Sequence, residues 1–486
     1  MYVIGDAEDP LAPISSPQDG SPVAEKSTAE SDQESGSADS IDFGSPAPPN
    51  RGSNAKSSDH AAHLSPPSSP EPSLPATADS ANDSPWAPLQ VPIFRAFWVA
   101  SLISNLGTWV HEVGAGWLMT GLDSSPQMVS AVRIAIAGPT MLLAIPAGVI
   151  ADRIDRRRLL ILTQLLLLTT TSLLATLTFA GVMTSWSLLF LTFVIGMGVV
   201  MHVLTWQSTI PVLVPKPQIA RAIALGSISF NLARAIGPAF GGVLIALAGP
   251  WAAFAFNAMS FAGVLVVLYF WKREPTESSR GLTFAQALRE GFVYVLRQAR
   301  MRNVLTGVLL FLLPATALWS LLPLVAREQL GWHAQGYGML VTSIGVGAVV
   351  AARILHVLHR WLLMDRTIAL AMVCFSIGLL VLGTTSGNGV LDTIRALAAC
   401  VLMGSSWMIT LTSLNASAQT TLPDHLRARG MGCYMTTMAL SMTVGAFLWG
   451  QVAGQIGLSL TQWTAAATLI VTAAVSFRFP VDATKH

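Results

Sequence analysis

Apolar residues run in twelve long blocks between Phe94 and Phe479, each bounded by a short polar or basic segment. A hydrocarbon core about 30 Å thick needs about 20 mainly apolar residues to cross it as a helix. The blocks reach that length at about 95–120, 126–150, 158–181, 186–210, 222–248, 251–271, 303–325, 336–358, 366–385, 391–413, 430–455 and 459–478. In lipid, backbone groups are satisfied only within helices or closed barrels. The blocks are too long for barrel strands and lack their in–out alternation. The pattern predicts an all-α membrane protein with twelve transmembrane helices.

The polar segments between blocks divide by charge. One set holds Arg153, Arg156, Arg157 and Arg158, then Lys216 and Arg221, the cluster from Lys272 to Arg302, Arg360 and Arg366, and Arg427 and Arg429. The alternate set holds almost nothing basic except Arg327. Basic loops stay on the cytoplasmic side, so both termini are expected there. The basic cluster also separates six helices from six, which predicts two six-helix bundles, at 91–272 and 303–480. Between them, at 273–302, Phe284, Leu288, Phe292, Val295 and Leu296 form a helical apolar stripe flanked by Arg289, Arg297 and Arg300. That pattern predicts a cytoplasmic amphipathic linker helix on the membrane surface. Residues 481–486 are expected as a short cytoplasmic C-terminus.

Residues 1–90 break the pattern. Ser35-Gly36-Ser37-Ala38 and Ser65-Pro66-Pro67-Ser68-Ser69-Pro70 bury too little apolar surface to offset ordering, which predicts a disordered cytoplasmic tail. A basic n-region followed by an apolar core is absent from it, so it does not read as a cleaved signal peptide. Over the whole chain 52% of residues are hydrophobic and 11% charged, too little charge for a chain dominated by a soluble domain. The net charge of +2 excludes nucleic acid as the expected partner. Cys374, Cys400 and Cys433 lack metal-ligand spacing and read as packing residues, so no metal and no cofactor is expected. A phosphate-binding loop and a His-Glu-x-x-His helix are both lacking in the sequence. ATP therefore does not enter as the expected driving force, and the chain does not read as an enzyme.

Buried charge singles out three residues. A charged side chain at mid-membrane costs about 2.5–3.5 kcal/mol on insertion scales, so it has a partner or faces water. Glu112 is the only acid deep in any predicted span. It lies roughly 12 Å from the outer end of its helix, Arg133 roughly 10 Å and Arg234 roughly 20 Å from theirs, at 1.5 Å per residue. Arg133 is thus the better-matched partner. Asn105, Trp109, Glu112 and Gly116 share one face by their 4, 3, 4 spacing, and His111 points about 100° away. Two readings of Glu112 stand: a carboxyl that exchanges protons while its arginine pairing changes, and a permanent ion pair that fixes helix packing. His202, four residues before Trp206, reads either as a cavity residue or as a packing contact.

Gly148-Val149-Ile150-Ala151-Asp152-Arg153-Ile154-Asp155-Arg156-Arg157-Arg158 joins spans 2 and 3. Gly148 allows close helix approach, while Asp152, Arg153, Arg156 and Arg157 supply charged contacts at the cytoplasmic rim. The run resembles the signature loop of the major facilitator superfamily, at the place where that family carries it. Between spans 8 and 9, Gly345 to Arg353 with Arg360 is a degraded echo without an acidic partner. Gly237-Pro238-Ala239-Phe240-Gly241-Gly242 in span 5 resembles the antiporter motif of the same family: Pro238 bends the helix while Gly237, Gly241 and Gly242 permit close packing. Ala224 and Ala233 stand where that motif has further glycines. Ile103-Ser104-Asn105-Leu106-Gly107-Thr108-Trp109 and Asn231-Leu232-Ala233-Arg234 resemble the branch containing the enterobactin exporter, described as transmembrane secretion effectors.

The resemblance covers about residues 90–480 and implies a major facilitator fold working by alternating access. It implies a central cavity bounded by spans 1, 4, 7 and 10. Candidate cavity residues are Asn105, Trp109, His202, Trp206, Gln207, Asn231, Trp319, Trp407 and Asn415, and their aromatics and amides suit a large, partly aromatic, weakly polar solute. It further implies a monomer in a bacterial cytoplasmic (inner) membrane, with lipid, a small-molecule substrate and protons as partners. Export of a siderophore or drug-like molecule coupled to protons is the expected function. An importer or uniporter of the same fold is one rival, and a membrane sensor or scaffold using the tail is another. An intramembrane enzyme is disfavoured because Glu112 has no second acid or nucleophile at matching depth.

Overall fold

The computed structural model describes residues 84–271, 297–387, 389–423 and 427–481. The expected tail and most of the expected linker helix lie outside these residues. After a 3-10 turn at Ala87–Gln90, twelve helices follow. They are α1 (Pro92–Leu122), α2 (Pro126–Arg153), α3 (Arg156–Phe179), α4 (Ser185–Leu213), α5 (Ile219–Ala248) and α6 (Pro250–Phe270). The second set is α7 (Ala299–Leu324), α8 (Ala334–Trp361), α9 (Met364–Gly383), α10 (Val390–Thr421), α11 (Arg427–Ile456) and α12 (Leu458–Ser476). All twelve are long and apolar enough to span a bilayer, and no strand occurs among the described residues.

Local chemistry sets the helix ends. Pro92 and Pro250 open α1 and α6, where a missing N–H costs nothing. Asp155 caps α3 by accepting from the Arg158 amide at 2.9 Å. Thr184 and Ser187 form a reciprocal capping box at the start of α4. α5 and α6 are joined by Gly249 alone (φ 91°), and α11 and α12 by Gly457 alone (φ 80°). A left-handed backbone in so short a connection favours glycine. α10 runs past the expected boundary at 413 to Thr421, about 48 Å at 1.5 Å per residue. Its Ala, Ser and Gln residues end the apolar block but still sustain a helix.

α7 continues into a π-helical turn, Val325–Gln329. Such turns are rare and frequent at functional sites. Here Gln329 Nε2 donates to the carbonyls of Leu382 at 2.7 Å and Thr385 at 2.9 Å, while its Oε1 accepts from Gln462 Nε2 at 3.1 Å. These bonds tie the turn to α9 and α12.

The helices form two groups of six. In the first, α1 packs on α5 and α6, α3 on α4 and α6, and α2 on α4. In the second, α7 packs on α11 and α12, α8 on α10, and α9 on α10 and α12. Two seams join the groups, α2 with α11 and α5 with α8. Phe311, Phe375, Leu340 and Leu379 are fully enclosed, whereas Phe190, Leu247, Tyr269 and Val390 project outward. An outward-facing apolar belt is what a lipid-solvated bundle presents.

Glycine brings the seams together. A methyl at Gly242 would lie 2.9 Å from the Ala334 carbonyl oxygen and 3.0 Å from Gly338 Cα. One at Gly338 would lie 2.7 Å from the Pro238 carbonyl oxygen. In the other seam Gly450 faces Ser130, and Gly454 faces the Gln127 amide. Small residues permit this approach where helix packing is mainly van der Waals contact.

Candidate functional site

A cavity of about 220 Å³ lies between the two groups, with Trp109 and Glu112 of α1, Arg133 of α2, Arg234 of α5, Trp319 of α7 and Trp407 of α10 among its lining residues. Arg133 Nη1 donates to Glu112 Oε2 at 3.3 Å, with both side chains largely enclosed. The Arg133 guanidinium also stands 5.3 Å from the centre of the Trp319 ring. One arginine thus bridges a carboxylate of the first six helices and an indole of the second. A desolvated cation over an indole face adds about 2 kcal/mol of attraction.

Aromatic rings continue around the cavity. Trp319 lies 5.7 Å from Trp407, 6.5 Å from Trp109, and Trp109 lies 6.4 Å from Phe230. Gly237 makes room for this arrangement, because a methyl there would lie 2.6 Å from Trp109 Cβ. Gly241 fits against the Val110 backbone in the same way. Arg234 does not reach Glu112: its Nη2 donates to Asn231 Oδ1 at 2.7 Å and meets Met408 Sδ at 3.6 Å.

The structure disperses the other candidates. Asn105 donates to Ser229 Oγ at 3.2 Å in the α1–α5 contact. His202 Nδ1 lies 3.0 Å from Gln164 Nε2, and its ring stacks 6.4 Å from Trp206, which packs on Phe97. Gln207 is exposed on α4. Asn415 accepts from Gln419 near the end of α10. His111 is buried against Phe254 of α6, away from the cavity, with neither ring nitrogen hydrogen-bonded. In the signature loop, the side chains of Gly148, Asp152 and Arg153 lie outside the described residues. Arg157 donates to the carbonyls of Leu268 and Tyr269, each at 3.2 Å, closing α3 onto the end of α6.

Several cavity residues carry no distinctive mark in the sequence: Val341, Ile344, Ala348, Gly404 and Met442. Phe230 has a signal in hindsight, since it precedes Arg234 by four residues and shares its helical face.

The halves also meet near Asp123, between α1 and α2. Arg327 of the π turn donates to Thr120 Oγ1 at 3.0 Å and stands 5.4 Å from the Trp117 ring centre. Trp117 in turn stacks on Tyr337 of α8 at 6.3 Å. The Ser125 hydroxyl and amide hold the Asp123 carboxyl below the usual carboxylate range, with burial opposing weakly. Among the described residues, no group of three or more His, Cys, Asp and Glu is placed to hold a metal ion.

Residues 83–486 match the family model described as transmembrane secretion effector. The MFS-type transporter YfiS of Bacillus subtilis (strain 168) is 26% identical over 417 residues, covering 79% of this chain and 93% of that protein. The staphyloferrin A transporter of Staphylococcus aureus (strain NCTC 8325 / PS 47) is 24% identical over 292 residues, covering 59% of this chain and 72% of that protein. The crystal structure of the nucleoside transporter NupG superposes with a TM-score of 0.63 at 12% identity, over 80% of this chain and 98% of that one. At that identity the likeness shows the fold alone, which is the major facilitator fold of two six-helix bundles.

Proposed function

The chain belongs to the transmembrane secretion effector family and is a multi-pass transporter of major facilitator type, and from this we propose that it exports a small organic molecule by alternating access, with Glu112 as the proton-exchanging group. The observation that carries the reading is the Glu112–Arg133 pair, 3.3 Å long, facing a cavity between the halves. A rearrangement that moves Arg133 by a few ångströms breaks the pair and leaves the Glu112 carboxylate without its counter-charge. The cation–π contact to Trp319 supports a link to the second half, because separating the halves also separates Arg133 from that ring.

Orientation follows from the basic loops: Arg156, Arg157, Lys216 and Arg221 face the cytoplasm of a bacterial cell, and the Asp123 end faces outward. On that orientation the Arg327–Thr120 bond and the Gly242–Ala334 contact close the outer end, and the cycle opens them. The signature loop with Asp152 and Arg153 gates the inner end, and the bent, glycine-lined stretch from Gly237 to Gly242 sets how closely α5 approaches α1 and α8. The protein works as a monomer in the inner membrane. Export of a siderophore is supported by the name of the Staphylococcus aureus relative, which transports staphyloferrin A.

The test is accumulation in inside-out membrane vesicles with an imposed pH gradient, using catecholate siderophores and cationic dyes. Wild type is expected to accumulate at least one compound, and Glu112→Gln is expected to lose the gradient dependence. Gradient-driven accumulation by both proteins would make the pair structural and remove Glu112 from coupling.

A further inference from the structure

The cavity holds two guanidinium groups and one carboxylate. Glu112 is engaged by Arg133, which leaves one positive charge without an opposite charge. That charge is on Arg234, whose partners, Asn231 Oδ1 and Met408 Sδ, are both neutral. Among the described residues, no carboxylate lies within 4.0 Å of Arg234. An unpaired cation at membrane depth is costly, and a residue of this kind marks a substrate or ion path.

The groups around Arg234 narrow the chemistry. A planar guanidinium fork fits a carboxylate through two parallel N–H···O bonds, and its low hydration suits an apolar enclosure. Four aromatic residues, Trp109, Phe230, Trp319 and Trp407, line the cavity, an apolar surface that suits a flat ligand. The cavity volume is about 220 Å³. That space takes one or two fused rings with a small acidic group. A cationic ligand would meet two arginines, and the one carboxylate among the described lining residues is already paired.

Building on the reading of this cavity as the substrate site, we infer that its ligand is a flat aromatic molecule with one negative charge, the acid group on Arg234 and the ring among the tryptophans. The anion completes the charge balance that the chain leaves open. Outward movement of such an anion is also favoured by an inside-negative membrane, by about 2.3 kcal/mol per 100 mV.

Three probes with one ring system separate charge from shape: 2-naphthoate, 2-naphthylmethanol and 2-naphthylmethylammonium. Their binding to the full chain in nanodiscs would be followed by titration calorimetry against empty nanodiscs. Naphthoate is expected to bind about tenfold or more tighter than the alcohol, and the ammonium compound weakest. Arg234→Gln is expected to bring naphthoate down to the level of the alcohol, and Arg234→Lys to keep most of the preference. Equal binding of the three probes, or tightest binding of the cation, would overturn the inference. If Arg234→Gln does not fold, the wild-type ranking still decides. The proton-coupling proposal fails separately, because Glu112→Gln protein that loses gradient dependence, or keeps it, is still expected to rank the three probes in the same order.

Discussion

The two ends of the bundle are built from different chemistry. At the Asp123 end, single glycines join α5 to α6 and α11 to α12, and one hydrogen bond, Arg327 to Thr120, and two close approaches, Gly242 against Ala334 and Gly454 against Gln127, cross between the halves. At the Arg156 end the loops are basic, and three contacts between described residues each lie inside one half. Arg157 bonds to the end of α6, Asn303 Nδ2 donates to the Pro480 carbonyl at 2.9 Å, and the Val481 amide donates to Asp365 Oδ1 at 2.7 Å. The difference has a mechanical meaning. One end is fastened by contacts between halves that must break for the cavity to open there. At the other, these three bonds each lie within one half, so the halves can part without breaking them.

The sharpest way to break this contrast is at the seam. A leucine at Gly242 would drive a side chain into the Ala334 carbonyl and Gly338. Overpacking of that kind costs about 1–3 kcal/mol or more, and transport in vesicles is expected to fall more than tenfold for folded protein. Unchanged transport would show that α5 and α8 do not need to meet. Next is Gly249→Val, a branched residue forced into a positive-φ backbone at a cost of about 1–3 kcal/mol. Thermal unfolding in detergent should drop by several degrees, and a melting curve like that of wild type would remove the strain argument.

Arg327→Ala tests the fastening itself. Arg327 is exposed, so its bond to Thr120 contributes about 1 kcal/mol or less. A roughly fivefold shift toward separated halves at the Asp123 end is expected, read as the distance between spin labels on Gly121 and Glu328. No change in the distance distribution would mean that the seams alone hold that end. The smallest effect is expected at Arg157→Gln, which loses two bonds within the first half, about 1 kcal/mol in total. Stability should fall slightly while the label distances across the halves stay as in wild type. A change in those distances would place Arg157 in the gate between halves.

Much of this architecture is visible in hydropathy because lipid imposes a simple rule on length and polarity. The charged cavity residues are visible for the same reason: Glu112, Arg133 and Arg234 are conspicuous in apolar helices. Depth along a helix follows from residue number, and depth alone made Arg133 the better match for Glu112. Azimuth between helices does not follow so directly. His202 and Trp206 lie on a helix expected to border the cavity, yet a hydrogen bond to Gln164 of α3 turns His202 toward its own half. Met442 and Ile344 line the cavity but resemble dozens of other apolar residues. The π turn had no sequence signal, since it depends on Gln329 finding acceptors on α9 and a donor on α12.

The two one-residue connections also bear on how the chain enters a membrane during synthesis. Between α5 and α6, and again between α11 and α12, there is no polar loop and no lysine or arginine to carry across the bilayer. Each pair can therefore enter as a closed helical hairpin, its second helix following the first without a separate translocation step. Lengthening Gly249 or Gly457 into a charged loop would turn one insertion event into two, and the damage would appear as misinserted chain before any transport was measured.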